Sequence, residues 1–322
     1  MANLKDIAEK AGVSIRTVAR VLQDHPHVSA DKRALVRKTV AQLGYRPNML
    51  ARALKTRRTM MIGVISSSLD TEVMSRKISS ICTALSRAGY RTTLGLTYGV
   101  AGRIDQFIED FSQFCDGIVF AGYSPSDTSL CTMDIPFVLV DTRRTEYPSV
   151  FIDRKAGVVQ ACDSLRGKYE RYVFLTPNAD DAEDRRAAFD TSVDALGSVE
   201  KRIIVTAESG LPGGYSAGDD ISGMQRTLVV CYSDKTAVGL LKRLYELTAR
   251  IPEDIGVIGF DDDEYPRFAY KSLSTVTQPT GELADEAVAV LTLRMNGEEA
   301  ATRTVKTSFI ARESTGNTRK NN

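Results

Sequence analysis

Tryptophan is absent from this 322-residue chain, and histidine occurs only at His25 and His27. Beyond those two positions no imidazole is available, so histidine-based acid–base or nucleophilic catalysis is excluded from most of the chain. The five cysteines, Cys82, Cys115, Cys131, Cys162 and Cys231, form no C-x-x-C pair and have no histidine at ligand spacing. That argues against a zinc module and a disulfide framework, and an odd, unpatterned count suits a reducing compartment. No apolar run approaches the roughly 18 residues that span a bilayer. Met1 to Lys10 is polar and alternates in charge, unlike a secretory leader. Gly210-Leu211-Pro212-Gly213-Gly214 is not followed by Gly-Lys-Ser/Thr and is therefore not a phosphate loop. A serine nucleophile elbow is not expected either.

What is present is an ordinary globular mix, 26% charged and 43% hydrophobic, with length for two or three domains of about 100–200 residues. The net charge of +1 conceals an asymmetry. Residues 1–60 hold 13 Lys/Arg against 4 Asp/Glu, a net of +9, and the remainder carries a net of −8. A basic head on an acidic body suggests that the head meets a polyanion.

In the head, Leu4, Ile7, Ala8 and Ala11 recur at helical spacing behind Asn3, a good N-cap. Gly12-Val13-Ser14 breaks that helix, and Ser14 caps a second one, Ile15 to Gln23, with Val18, Val21 and Leu22 on its inner face. A third helix is predicted from about Ala30 to Leu43, capped by Ser29, closed by Gly44, and buried through Ala34, Leu35, Val36, Val40 and Leu43. Helix, glycine-containing turn, helix is the helix-turn-helix plan. It leaves Ile15, Arg16, Thr17, Ala19 and Arg20 outward, on the half of the second helix that enters a major groove in this geometry. Arginine there reads guanine through O6 and N7. Pro47 then opens a short basic helix carrying Leu50 and Leu54 one turn apart, a pair suited to wedging a minor-groove step.

Lys5-Asp6-Ile7-Ala8, Ala11-Gly12-Val13-Ser14, Thr17-Val18, Arg20-Val21-Leu22, Val28-Ser29, Leu43-Gly44-Tyr45-Arg46-Pro47-Asn48 and Ala51-Arg52-Ala53-Leu54 together resemble the head of the LacI/GalR family. The resemblance implies that Leu54 is an intercalating hinge leucine, flanked at the DNA by Ala53 and Lys55. It further implies that Thr17, Tyr45 and Asn48 contact phosphates and that Ile15, Arg16 and Arg20 set base preference. His27 stands where some members place a DNA contact, and a surface histidine in a turn is the equal alternative. Ala19 and Gln23 depart from the usual Ser and Asn.

From Thr59 the pattern changes to short apolar runs at 60–65, 117–120, 137–140, 172–175, 228–231 and 256–260, with a helix at Ile78 to Gly89 and helical stretches between most of the others. Alternating strands and helices predict doubly wound α/β lobes, with ligands beyond the C-terminal strand ends. The segments Pro136–Asp141, Val257–Asp262, Leu273–Pro279 and Ala311–Thr315 resemble the same family's regulatory core, which is similar to periplasmic sugar-binding proteins. That resemblance implies two lobes with crossovers near Asp153–Gly157, Val276–Pro279 and Lys306–Ile310. It places Ser67, Arg185, Ser233, Asp261 and Gln278 at an effector cleft. Ser66 to Met74 lacks the aromatic run that stacks on sugars in many members.

The expected division is a helix-turn-helix domain at 1–46, a hinge helix and linker at 47–59, a two-lobed effector-binding and dimerisation domain at 60–316, and a tail at 317–322. The tail has no leucine heptads, so a dimer rather than a tetramer is expected. The expected function is a cytoplasmic, nucleoid-associated repressor of carbohydrate-related genes. Its expected partners are pseudo-palindromic duplex DNA, a sugar-like effector and a second copy, without cofactor, metal or membrane. One alternative is a catabolite-type regulator answering to a protein partner. Another is a solute-binding or enzymatic body. Asp261-Asp262-Asp263-Glu264 offers oxygen ligands for a cation, but consecutive residues of one loop point in different directions.

Overall fold

The computed structural model describes residues 2–22, 25–45, 56, 58–122, 125–142, 144, 146–178 and 182–317. The chain separates into two units, Met1–Thr59 and Met60–Asn322.

The first unit contains α1 (Leu4–Ala11), α2 (Ile15–Leu22) and α3 (Ala30–Gln42). Asn3 caps α1 in a full capping box with Asp6, and Gly12 ends it at φ 62°, a left-handed conformation that glycine adopts without strain. Ile7, Ala8, Ala11, Val18, Val21 and Val36 close the core of this small unit. The expectation for α3 needs two corrections. Ala34 and Leu35 face solvent, and Thr39 is buried instead, its hydroxyl donating to the Leu35 carbonyl at 3.0 Å. At 3.6 residues per turn the inner stripe is 36, 39/40 and 43, which leaves 34 and 35 off the face. Ser29 precedes α3, but its side chain makes no capping hydrogen bond.

The second unit holds two six-stranded sheets. The first runs β11 (Arg303–Lys306), β5 (Ser149–Asp153), β4 (Phe137–Val140), β3 (Gly117–Ala121), β1 (Met61–Ser66), β2 (Arg91–Leu96). The second runs β12 (Ser308–Ile310), β10 (Ser274–Thr277), β9 (Ile255–Asp261), β8 (Thr227–Cys231), β6 (Arg171–Pro177), β7 (Glu200–Thr206). All pairings are parallel except β10 with β12. Every apolar run read as a strand lies in one. The edge strands β2 and β7 were not legible, because solvent on one side lets them carry Arg, Thr, Glu and Lys. The helix predicted at 78–89 is α4 (Glu72–Arg87), which starts earlier because Thr71 caps it by accepting from the Met74 amide.

Helices α5 (Arg103–Ser112) and α6 (Asp127–Cys131) complete the first lobe, with α11 (Thr280–Met295) packed beside α4. The second lobe has α7 (Arg154–Ser164), α8 (Ala182–Asp194), α9 (Gly210–Ile221) and α10 (Asp234–Glu246). The glycines at 210, 213, 214 and 218 are helical. A Cβ on Gly214 would sit 1.9 Å from the Thr236 carbonyl, and one on Gly239 would sit 2.1 Å from that of Leu211, so α9 and α10 touch backbone to backbone.

The chain changes lobe three times: from β5 into α7, from β10 into α11, and from β11 to β12. These are the positions the resemblance implied. They are stitched at one point, where Thr307 Oγ1 donates to the Asp153 carbonyl at 2.7 Å and accepts from the Gly157 amide at 2.9 Å. A Cβ on Gly157 would lie 2.4 Å from Val276 Cγ1, so the three crossings fit together only with glycine there. Among the described residues no helix is long and apolar enough to cross a membrane.

Candidate functional site

On the head, Ser14 accepts from the Thr17 amide at 3.1 Å and pairs with the Thr17 hydroxyl at 2.9 Å, fixing the start of α2. Val18 and Val21 anchor that helix inward. Ile15 and Arg16 are therefore exposed, with Thr17 and Arg20 half-buried beside them. A large apolar side chain and an arginine are thus held outward on a capped helix. His27 is exposed in the turn before α3, its ring 5.4 Å from that of His25, while Arg33 pins the turn by donating to the His25 carbonyl at 2.8 Å. Tyr45 packs partly against the head core. Asn48, Ala53, Leu54 and Lys55 lie outside the described residues.

In the body, the strand ends of the second lobe bring together three of the five expected cleft residues. Asp261 ends β9, Gln278 follows β10, and Arg185 projects from α8. Gln278 Nε2 donates to Asp261 Oδ1, and Arg185 lies 3.6 Å from the same oxygen. The Arg185 guanidinium is held between the rings of Tyr232 and Phe260, 4.3 and 4.4 Å from their centroids, and donates to the Tyr232 carbonyl. Both aromatics therefore hold the arginine. Ser233 caps α10, its oxygen accepting from the Thr236 amide at 3.2 Å. Ser67 is half-buried at the end of β1, where its carbonyl accepts from the Tyr98 amide.

The first lobe contributes groups that sequence reasoning missed. Lys77 of α4 is 4% exposed, and its ammonium meets Asp141 at 2.5 Å. Arg154, at the first crossover, meets the other oxygen of Asp141 at 2.8 Å. Burial pushes the Asp141 carboxyl up, but the charges and hydrogen bonds of Lys77 and Arg154 outweigh burial and hold it below the ordinary range. A lysine on an amphipathic helix ordinarily reads as surface; only the lobe geometry buries this one. A cavity of about 410 Å³ opens beside the triad, lined by Asp141, Phe151, Arg154, Asp184, Thr191 and Thr304 among others.

Beneath the Asp261 site lie two further carboxylates. Asp234 accepts from the Thr275 hydroxyl at 2.7 Å and the Asp263 amide at 2.8 Å. Burial, then the charge of Asp261, raises Asp234 to about 8. Burial, then Asp261 and Glu72, raises Asp263 to about 7. The folded chain therefore keeps protons that the unfolded chain releases near the ordinary value of 3.8. Stability from these groups is full below that value and is lost as pH rises through about 7 and 8. Chemical denaturation should show the body weakening from pH 5 to 9, and Asp234→Asn should flatten that slope. An equal slope in the variant would remove Asp234 as its source. Among the described residues no group of His, Cys, Asp or Glu is arranged to hold a metal ion.

The expectation of no serine elbow needs a qualification. Gly214-Tyr215-Ser216-Ala217-Gly218 has the G-x-S-x-G spacing, but it lies inside α9, and Ser216 Oγ donates to the Gly213 carbonyl at 3.0 Å. It is a helical turn rather than a strand-to-helix elbow.

The family model for bacterial regulatory proteins, lacI family, matches residues 3–48. The model for the periplasmic binding protein-like domain matches residues 164–315. The HTH-type transcriptional regulator MalR of Streptomyces coelicolor is 30% identical over 316 residues, covering 92% of this chain and 91% of that protein. The ribose operon repressor of Bacillus subtilis is 29% identical, covering 90% of this chain and 91% of its own. Among solved structures, the lac repressor dimer bound to operator and the anti-inducer ONPF superposes with a TM-score of 0.79 at 23% identity, over 98% of this chain and 99% of that one. At that identity the likeness speaks for the fold alone.

Proposed function

The chain belongs to the LacI family of bacterial regulatory proteins, and from that premise we infer that it is a DNA-binding repressor whose hold on its operator is set by a small molecule bound in the body. The observation that carries this reading is the pairing of two parts in one chain. The head presents Ile15, Arg16 and Arg20 on a capped helix, and the body is two lobes joined at three crossings.

The effector we propose is a sugar or sugar derivative. The groups around Asp261 and Asp141 are carboxylate, guanidinium, amide and hydroxyl, which recognise hydroxyls by donating and accepting. The cavity of about 410 Å³ beside Asp141 and Arg154 falls in the range of about 300–1,000 Å³ usual for small-molecule sites, although none of Ser67, Arg185, Ser233, Asp261 and Gln278 lines it. Ser67 and Ser233 belong to the same proposed cleft. The relatives named above include a ribose operon repressor, which supports the class and leaves the individual sugar open.

We also propose a homodimer on a pseudo-palindromic site, with Thr17, His27, Tyr45 and Asn48 on the backbone, and Ala53, Leu54 and Lys55 in the central minor groove. A patch on the second lobe fits a second copy. Tyr245 and Tyr270 rings lie 4.4 Å apart, and Phe268 and Tyr270 are 82% and 70% exposed. Clustered exposed aromatics of this kind support an interface there. Light scattering should return a dimer, and a Phe268→Asp, Tyr270→Asp double variant a monomer. The protein acts in the cytoplasm and is not an enzyme in this reading.

The experiment that tests the function is selection of duplexes from a random pool by the intact chain. A thermal-shift screen of sugars, sugar phosphates and nucleosides follows, and operator binding is then measured with each hit. A two-fold-related motif whose affinity changes with one hit is the expected result. Failure to enrich any sequence over bulk DNA would overturn the reading.

A further inference from the structure

We propose that Arg76 and Glu72 form a latch that ties the two lobes together and sets the angle between them, which an effector would have to change; this rests on the two-lobed regulator reading above. Both residues lie on α4 of the first lobe, one helical turn apart. The Arg76 fork donates through its two terminal nitrogens to the main-chain carbonyls of Asp262 and Asp261, at the end of β9 in the second lobe. Glu72 accepts the Glu264 amide at 2.7 Å. Two side chains thus hold Asp261, Asp262 and Glu264, three residues of the opposite lobe.

Three features distinguish this contact from an incidental ion pair. The first is that its bonds go to main chain, so they do not depend on the charge state of the loop's carboxylates. Only a planar guanidinium presents two parallel donors, so lysine cannot replace it. The second is that the carbonyls are presented by strained backbone. Asp261 and Asp262 have φ of 118° and 56°, left-handed values that non-glycine residues hold only when their surroundings enforce them. The third is that the latched state leaves polar atoms unmet. Among the described residues Arg76 Nε, Asp263 Oδ1, Arg185 Nε and Gln278 Oε1 are buried without a hydrogen-bond partner, and Asp263 Oδ1 stops 3.6 Å from Arg76. Unmet buried donors and acceptors oppose this arrangement. The latch therefore holds a state that a ligand supplying both kinds of partner can compete with. Next to Arg76, Lys77 is fixed to Asp141, so α4 is anchored to its own lobe and transmits the pull.

The test uses the full ligand-free chain with Cys82 and Cys131 changed to serine and spin labels on exposed Ser79 and Asp220, one in each lobe. The Arg76→Ala, Glu72→Ala double variant should shift the interlobe distance distribution to longer, broader values. Amide exchange at 261–265 should speed up by about tenfold or more. Arg76→Lys should fall between parent and double variant. A double variant that melts like the parent and shows the parent's distance distribution would overturn the latch. Should the double variant not fold, Glu72→Ala alone, which removes one half-exposed acceptor, is read in the same way. Neither DNA nor ligand enters this measurement. Its failure therefore leaves the regulator reading standing, whereas failure of duplex selection by the parent chain overturns that reading alone.

Discussion

Arg16→Ala should abolish discrimination at one base pair in each half-site and leave preference at the other positions intact. Ser14 fixes the start of α2 and Val18 buries its opposite face, so Arg16 is an exposed side chain on a rigid edge. A bidentate arginine–guanine contact discriminates by about 1–3 kcal/mol. In a two-fold complex the variant loses two contacts, ~2–6 kcal/mol, a loss of roughly 30-fold at the low end. Competition binding with a panel of single-base operator variants measures it. If Arg16→Ala weakens every sequence equally and reduces the salt dependence, the side chain holds a phosphate instead. Arg20→Ala on the same helix should act at a second position. Because the head carries +9 over residues 1–60, affinity of parent and variants alike should fall steeply with salt.

Asp141→Ala should destabilise the body by about 3–5 kcal/mol at neutral pH, the cost of removing one member of a buried charge network. The substitution strands two cations, since Lys77 and Arg154 have side chains only 4% and 17% exposed and both pair with this carboxylate. The Asp141→Asn, Lys77→Met double variant should recover much of the loss, because it removes charge from both sides. Urea unfolding of the three proteins measures this. A single variant within about 1 kcal/mol of the parent would show that the triad is solvated in solution, as surface pairs are. Asp141 and Arg154 also line the cavity, so the single variant should alter effector response as well.

The head was nearly complete in the sequence, because its information is local. Asn3, Gly12 and Ser14 act within three or four residues of their positions, and the 3.6-residue stripe identifies the core. Where the reading slipped, at Ala34 and Leu35, adjacent apolar residues offered more candidates than one helix face can bury. In the body, β1, β3, β4, β6, β8 and β9 were legible as continuous apolar runs because both faces are covered, whereas β2, β5, β7, β10, β11 and β12 intersperse polar residues or are very short and were not.

The site divides in the same way. The resemblance to a known family implied the crossings at 153–157, 276–279 and 306–310. By itself the sequence determined the helix-turn-helix head, the outward face of its second helix and the alternating α/β body. Each of these follows from local propensity, periodicity or a contiguous motif. Only the tertiary structure decided that Lys77 is buried against Asp141 and Arg154, that Arg185 is held by Tyr232 and Phe260, and that Arg76 reaches the carbonyls of Asp261 and Asp262. Arg76 lies 185 and 186 positions from Asp261 and Asp262 in the chain. Burial and pairing at that separation come from the packing of the lobes, which no local pattern encodes.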